Sequence, residues 1–147
     1  MKDLKRRAAG IFFTDGKQVL LLKRADGSHQ GTWGLPGGHS KEGETPQEAA
    51  ERETMEETGL DTIPGSCFKS LEDEDEKGHF TTYLYEVGGP FDCQISDEHS
   101  SWKWFPLAKV KSLDLHPALR ENMDRYLVVI RKNLSKSFKE WVSLRSA

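Results

Sequence analysis

The sequence predicts an α/β (α+β) fold, a mixed β-sheet held between helices, and three observations predict it. Short apolar runs of strand length recur from residues 8–13 through 102–105. Helix start signals stand at Thr45 and at Pro117. No repeat, Pro-rich linker or low-complexity tract divides the 147 residues, so a single domain over 1–147 is expected.

Each element follows from local chemistry. Residues 8–13 read as a strand, Asp15-Gly16 as a hairpin turn, and residues 19–22 as the returning strand. From 26 to 44 the chain holds six glycines, so this stretch is expected to be loop, punctuated by Trp33, Leu35 and Pro36. Thr45 then suits a helix N-cap, Pro46 the first helical position, and Glu48 completes a capping box. Gly59 supplies a left-handed stop. Strands are expected at 67–71 and at 80–87, the latter alternating around Tyr83 and Tyr85. Between them, residues 72–76 are five consecutive acids, expected as a solvated hairpin loop, with a weak extra cation site as the lesser alternative. Residues 102–105 read as a short strand. A second helix is expected from Pro117 to about residue 131, with Leu119, Met123, Tyr126, Leu127 and Ile130 at helical spacing. The tail from 131 onward carries five bases, one acid (Glu140), Trp141 and Leu144, and is expected to be solvated.

Composition narrows the function. The longest apolar run, Tyr126 to Ile130, falls far short of the ~20 residues of a membrane span. The basic start (Lys2, Lys5, Arg6, Arg7) meets Thr14, Asp15 and Gly16 too soon for a signal peptide. Two cysteines, Cys67 and Cys93, make no disulfide framework, and a reducing cytoplasm is the expected location. A net charge of −3 argues against coating nucleic acid. It does not argue against phosphate chemistry, because part of the acid excess is concentrated on one helix.

On that helix Glu53, Glu56 and Glu57 fall within an arc of roughly 100° at the ~100° per residue of an α-helix. The same arc carries Ala49 and Ala50, with Thr54 at its edge, while Gln47, Glu48, Glu51, Met55 and Thr58 lie opposite. The inward face therefore combines small residues with three carboxylates, which is expensive to bury without a counter-charge. A divalent cation such as Mg2+ resolves the conflict, since it takes carboxylate oxygens and bridges to phosphates. Arg52, four residues before Glu56, can pair with and orient that carboxylate. The competing reading is a solvated, charge-laced surface helix.

The pattern Gly38-x5-Glu44-x7-Arg52-Glu53-Thr54-Met55-Glu56-Glu57-Thr58-Gly59-Leu60 resembles the box of the Nudix (MutT-like) hydrolase family, G-x5-E-x7-R-E-U-x-E-E-x-G-U, with U a bulky aliphatic. The one departure is Thr54, which keeps the β-branched shape and adds a hydroxyl. The resemblance implies a Nudix fold and Mg2+- or Mn2+-dependent hydrolysis of a nucleoside diphosphate linked to another group. It implies cation binding by Glu53, Glu56 and Glu57, joined by the backbone carbonyl near Gly38, with Glu44 more peripheral. A metal-activated water needs a carboxylate to take its proton. Glu56 and Glu98 are the candidates for that base, with a surface-loop acid as the bland reading of Glu98.

The run Trp33-Gly34-Leu35-Pro36-Gly37-Gly38-His39 looks most like members that cleave nucleoside triphosphates to monophosphates. The proline of ADP-ribose hydrolases beyond the box is replaced by Glu76, and Tyr83 lies further on than the tyrosine of many dinucleoside polyphosphate hydrolases. An arginine at the position of Arg24 often faces phosphates in the family, and Trp33 and Trp102 are candidate base platforms. The expected partner is thus a small-molecule nucleotide, with no stable nucleic-acid or membrane binding; oligomeric state, a homodimer included, is left open. Nucleotide-sugar and dinucleoside polyphosphate hydrolysis are alternatives. A non-catalytic nucleotide-binding module is the alternative of another class, disfavoured by the complete set of carboxylates. Diphosphate isomerisation is disfavoured because both cysteines follow the box.

Overall fold

The computed structural model describes residues 6–146, with side chains described from Arg7 to Leu134. Lys2 and Lys5 of the basic start, and the tail side chains Glu140, Trp141 and Leu144, lie outside the described residues. Strand β1 (Arg6–Thr14) turns into β2 (Gln18–Arg24) through Asp15, whose Oδ1 accepts from the N–H groups of Lys17 and Gln18, and through Gly16 at φ 95°. The turn matches the expected hairpin, but the two strands then diverge. They pair directly only at Thr14 and Val19.

The wedge between them is filled by the glycine-rich stretch. Two short strands form in it, β3 (Trp33–Gly34) along β2 and β4 (Gly37–His39) along β1. At the apex the Ile11 N–H donates to the Pro36 carbonyl at 3.0 Å. The expectation of loop throughout 26–44 is corrected here: open edges of β1 and β2 leave N–H and C=O groups that must be paired, and this segment pairs them.

Helix α1 (Pro46–Thr58) is capped as expected. Thr45 and Glu48 form a reciprocal capping box, and Gly59 closes the helix at φ 74°. Strand β5 (Ser66–Glu74) runs antiparallel to β6 (Gly78–Glu86), which lies parallel to β1. Glu72, Asp73 and Glu74 therefore belong to a strand, and the turn begins only at Asp75. As an edge strand, β5 exposes these side chains to solvent while its backbone pairs with β6, so acidity does not prevent extension. Strand β7 (His99–Pro106) pairs with β2, and a short 3-10 turn (Leu107–Ser112) leads to helix α2 (Pro117–Ser146), longer than the expected end near 131.

The helices cover opposite faces of the sheet. Ala9, Ile11, Phe13, Leu20, Leu22, Tyr85 and Trp104 pack with Ala50 of α1. Phe12, Val19, Leu21, Leu84 and Phe105 pack with Leu119, Met123, Tyr126 and Ile130 of α2. The alternation along β1 and β2 assigns successive residues to the two cores. This arrangement, a mixed sheet between helices, is the predicted fold class. Among the described residues no helix is long and apolar enough to cross a membrane.

Candidate active site

Helix α1 turns Ala49, Ala50, Thr54, Glu57 and Thr58 inward. The wheel therefore needs two corrections: Thr58 is buried rather than opposite the sheet, because its hydroxyl is satisfied within the helix by the Thr54 carbonyl at 2.6 Å, and Glu56 lies in solvent rather than inward, where Arg52 pairs with it. The three box glutamates differ. Glu57 is 4% exposed, Glu53 is partly buried, and the Glu56 side chain is 54% exposed.

Glu57 is received by the wedge. Its Oε1 accepts the Gly37 N–H at 2.9 Å. Beside it, Gly38 faces Glu53 so closely that a Cβ on Gly38 would stand 2.6 Å from the Glu53 carboxyl carbon. Gly37 itself sits at φ 150°, with the Ala9 carbonyl where a side chain would go. Two consecutive glycines thus let carboxylates approach bare main chain. Burial pushes the Glu57 carboxyl up to about 8; repulsion from Glu98, Glu53 and Glu56 adds to the rise, and the Gly37 N–H opposes it.

Arg52 organises the remaining acids. Its Nε donates to Glu44 at 2.6 Å and a terminal nitrogen donates to the other Glu44 oxygen at 3.1 Å. The other terminal nitrogen reaches Glu53 at 3.1 Å and Glu56 at 3.2 Å, and the His39 carbonyl accepts a further bond. The expected Arg52–Glu56 pairing is present as one arm of a larger fork. Arg52 in turn holds Glu44 down at about 2. Both Glu44 oxygens are engaged by Arg52, with the Lys41 N–H on one of them. That leaves Glu44 a support for Arg52 rather than a free oxygen donor.

Glu98 comes from the β6–β7 connection, which is tied to the end of α1. The Gln94 N–H donates to the Thr58 carbonyl at 2.7 Å and the Ser96 N–H to the Glu57 carbonyl at 3.3 Å. The Glu98 carbonyl accepts from Ala25, next to Arg24. Glu98 is exposed, yet near enough to raise the Glu57 carboxyl. Arg24, opposite His99 at the end of β2, donates its Nε to the Ser28 carbonyl.

Trp33 and Trp102 are not brought together. Trp102 packs with the core under α1, whereas Trp33 packs with the core under α2, edge-on to Phe105. They cannot form one base slot. The contributions that the spacing of acids did not reveal are main-chain ones: the Gly37 N–H and the Gln94 and Ser96 anchors. A Gly-Gly pair eight residues ahead of an acidic helix was the available signal for the first; the anchors left none.

A metal fits the donor set. Three carboxylates within electrostatic reach of Glu57, itself buried on a single hydrogen bond, form with it an all-oxygen site whose one positive partner among the described residues, Arg52, is shared among Glu44, Glu53 and Glu56. Among the described residues no three acidic, His or Cys side chains are already drawn together in ligating position, at 72–76 or here.

Comparison with known proteins places this arrangement. The family model of the NUDIX domain matches residues 4–127. The chain belongs to the Nudix family. A Mycobacterium tuberculosis relative, provisionally named an 8-oxo-dGTP diphosphatase, is 34% identical over 132 residues, 80% of this chain and 60% of its own length. This Nudix chain thus spans about three fifths of that relative. The 8-oxo-dGTP diphosphatase of Escherichia coli is 30% identical over 116 residues, covering 76% of this chain and 87% of that protein. Among solved structures, a Nudix hydrolase from M. smegmatis, RenU, superposes with a TM-score of 0.75 at 26% identity, over 88% of each chain. A C. elegans Ap4A hydrolase follows at a TM-score of 0.69 and 25% identity, over 86% of this chain and 98% of that one.

Proposed function

We propose that this protein is a metal-dependent pyrophosphohydrolase that cleaves nucleoside triphosphates to monophosphates and pyrophosphate. The observation that carries the proposal is the buried Glu57 on the Gly37 N–H, with Glu53 against Gly38 and Glu56 and Glu98 close by. Glu53, Glu56 and Glu57, with the carbonyl near Gly38, would hold Mg2+ or Mn2+. When bound, the cation neutralises the phosphate chain and acidifies a water.

The chain's own residues do the rest. Arg52, clamped by Glu44, keeps Glu53 and Glu56 from swinging apart. A carboxylate accepts the proton of the water whose oxygen bonds to phosphorus as the anhydride P–O bond breaks. Glu98 suits that task because its charge is near Glu57 while its oxygens are not tied to Arg52. Arg24 stands at the neighbouring strand end to meet phosphate oxygens. Triphosphates are preferred because the E. coli relative named for 8-oxo-dGTP is covered over most of its length.

The test is a panel with Mg2+ in which the nucleotide products are resolved by anion-exchange chromatography, comparing nucleoside triphosphates, nucleotide sugars and dinucleoside polyphosphates by kcat/KM. Triphosphates should lead. If nucleotide sugars or dinucleoside polyphosphates outperform every triphosphate, the substrate assignment fails; if nothing is hydrolysed, the non-catalytic module takes its place.

A further inference from the structure

Next to Arg24 lies a pair of imidazoles that the carboxylate cluster does not use. His29 comes from the β2–β3 connection and His116 from the residue before α2, and their rings meet edge to face with centroids 4.7 Å apart. His29 has a left-handed backbone, φ 61°, which costs a non-glycine residue energy. Two hydrogen bonds hold it there: the Thr32 N–H and the Thr32 hydroxyl both donate to its carbonyl, at 3.1 and 2.7 Å. His116 is fixed independently. Its N–H donates to the Trp33 carbonyl at 2.8 Å, and its Nδ1 accepts the Ala118 N–H at 3.2 Å.

That last bond decides the chemistry. With Nδ1 occupied as an acceptor, the ring proton of neutral His116 must sit on Nε2. Nε2 is then a hydrogen-bond donor. A metal ion would need the Nε2 lone pair, which moves the proton to Nδ1 and breaks the bond to Ala118. An anion needs only the donor already present. The charge of Arg24 favours the same choice, since among the described residues it forms no ion pair. Burial pushes the His116 imidazole down, and the nearby His29 and Arg24 add to that shift.

We propose that His29 and His116 form an anion-binding notch that grips the phosphate chain of the substrate beside Arg24, with residues other than the box carboxylates. This inference rests on the polyphosphate-hydrolase reading above. It adds two specificity-determining residues that lie outside the box. The phosphate chain would then be held both by the cation site and by these N–H donors.

Metal-free protein in EDTA should be titrated with inorganic tripolyphosphate while the imidazole Hε1 resonances are followed by NMR. Both His29 and His116 signals should move. His29→Ala, and His116→Asn, whose side-chain oxygen can still accept from Ala118, should each weaken tripolyphosphate binding about ten- to hundredfold, the loss of one charge-assisted bond. With Mg2+, each should raise KM for a triphosphate by a similar factor and leave kcat within about twofold. Imidazole signals that stay still, or an unchanged dissociation constant and KM in His29→Ala, overturn the proposal. Hydrolysis of triphosphates with an unresponsive imidazole pair sinks this inference alone. Tripolyphosphate binding at the pair without hydrolysis of any nucleotide supports the notch and sinks the catalytic reading.

Discussion

The departure of the box at Thr54 has a measurable consequence. Thr54 is 0% exposed on the inward face of α1, and its hydroxyl oxygen finds no hydrogen-bond partner among the described residues. Replacing it by Val keeps the branched shape, costs almost nothing in helix propensity, and removes only the stranded polar group. An unsatisfied buried hydroxyl costs about 1–3 kcal/mol. Thr54→Val should therefore stabilise the fold by about that amount, raising Tm by roughly 2–10 °C for a domain of this size. Thr54→Ser separates polarity from volume: it keeps the hydroxyl, loses a buried methyl, and should destabilise by ~1 kcal/mol. Urea denaturation in EDTA measures both, and the slope m should be unchanged so that midpoints compare directly. Activity of Thr54→Val should match the parent, since no carboxylate is disturbed. A Val variant equal to or less stable than the parent would refute the reasoning.

Further outcomes follow from the same geometry. Glu57→Gln should abolish turnover and, without metal, stabilise the protein. The folded carboxyl near 8 stays protonated while the unfolded one ionises above 4.5, so the parent loses stability as pH rises from about 4.5 to 8. At pH 7 the difference should be on the order of 3 kcal/mol, vanish near pH 4, and shrink when Mg2+ is added to the parent; thermal melts across pH check it. Arg52→Lys cannot span Glu44, Glu53 and Glu56 together, and kcat should drop about 10–100-fold with the circular dichroism spectrum intact. Gly38→Ala drives a methyl into Glu53, so calorimetric Mg2+ affinity should fall at least as far as in Glu53→Gln. Glu98→Gln should lower kcat about 10²-fold or more and remove the acid limb of the pH–rate profile; a parental profile assigns the base to Glu56.

What the sequence disclosed was what local chemistry dictates. The Thr45–Glu48 box, Gly59 and the Arg52–Glu56 pair act within a few residues of one another, and each stands where its spacing implied, although Glu56 itself lies in solvent. Strands β3 and β4 were illegible because two or three residues carry no periodicity; they exist only because β1 and β2 part after one pair. Glu72 to Glu74 were misread for the opposite reason, since composition speaks of solvent and not of backbone pairing. Trp33 and Trp102 show a third limit. A residue's face depends on its strand's register, and neither tryptophan lies on a strand whose register can be inferred from its neighbours alone.

The anchoring of the β6–β7 connection to α1 also sets where this chain can change length. Gln94 and Ser96 take up the last carbonyls of the helix, and Glu98 is fixed two residues beyond, so these positions count like the teeth of a gear. One residue inserted between Gln94 and Glu98 would rotate the carboxylate out of line, whereas Gly88 and Gly89, with nothing within 4 Å of a would-be Cβ, have room for additional chain. Diversification of this protein is thereby channelled: new loop material can be taken on ahead of Phe91, and the stretch that follows must keep its count.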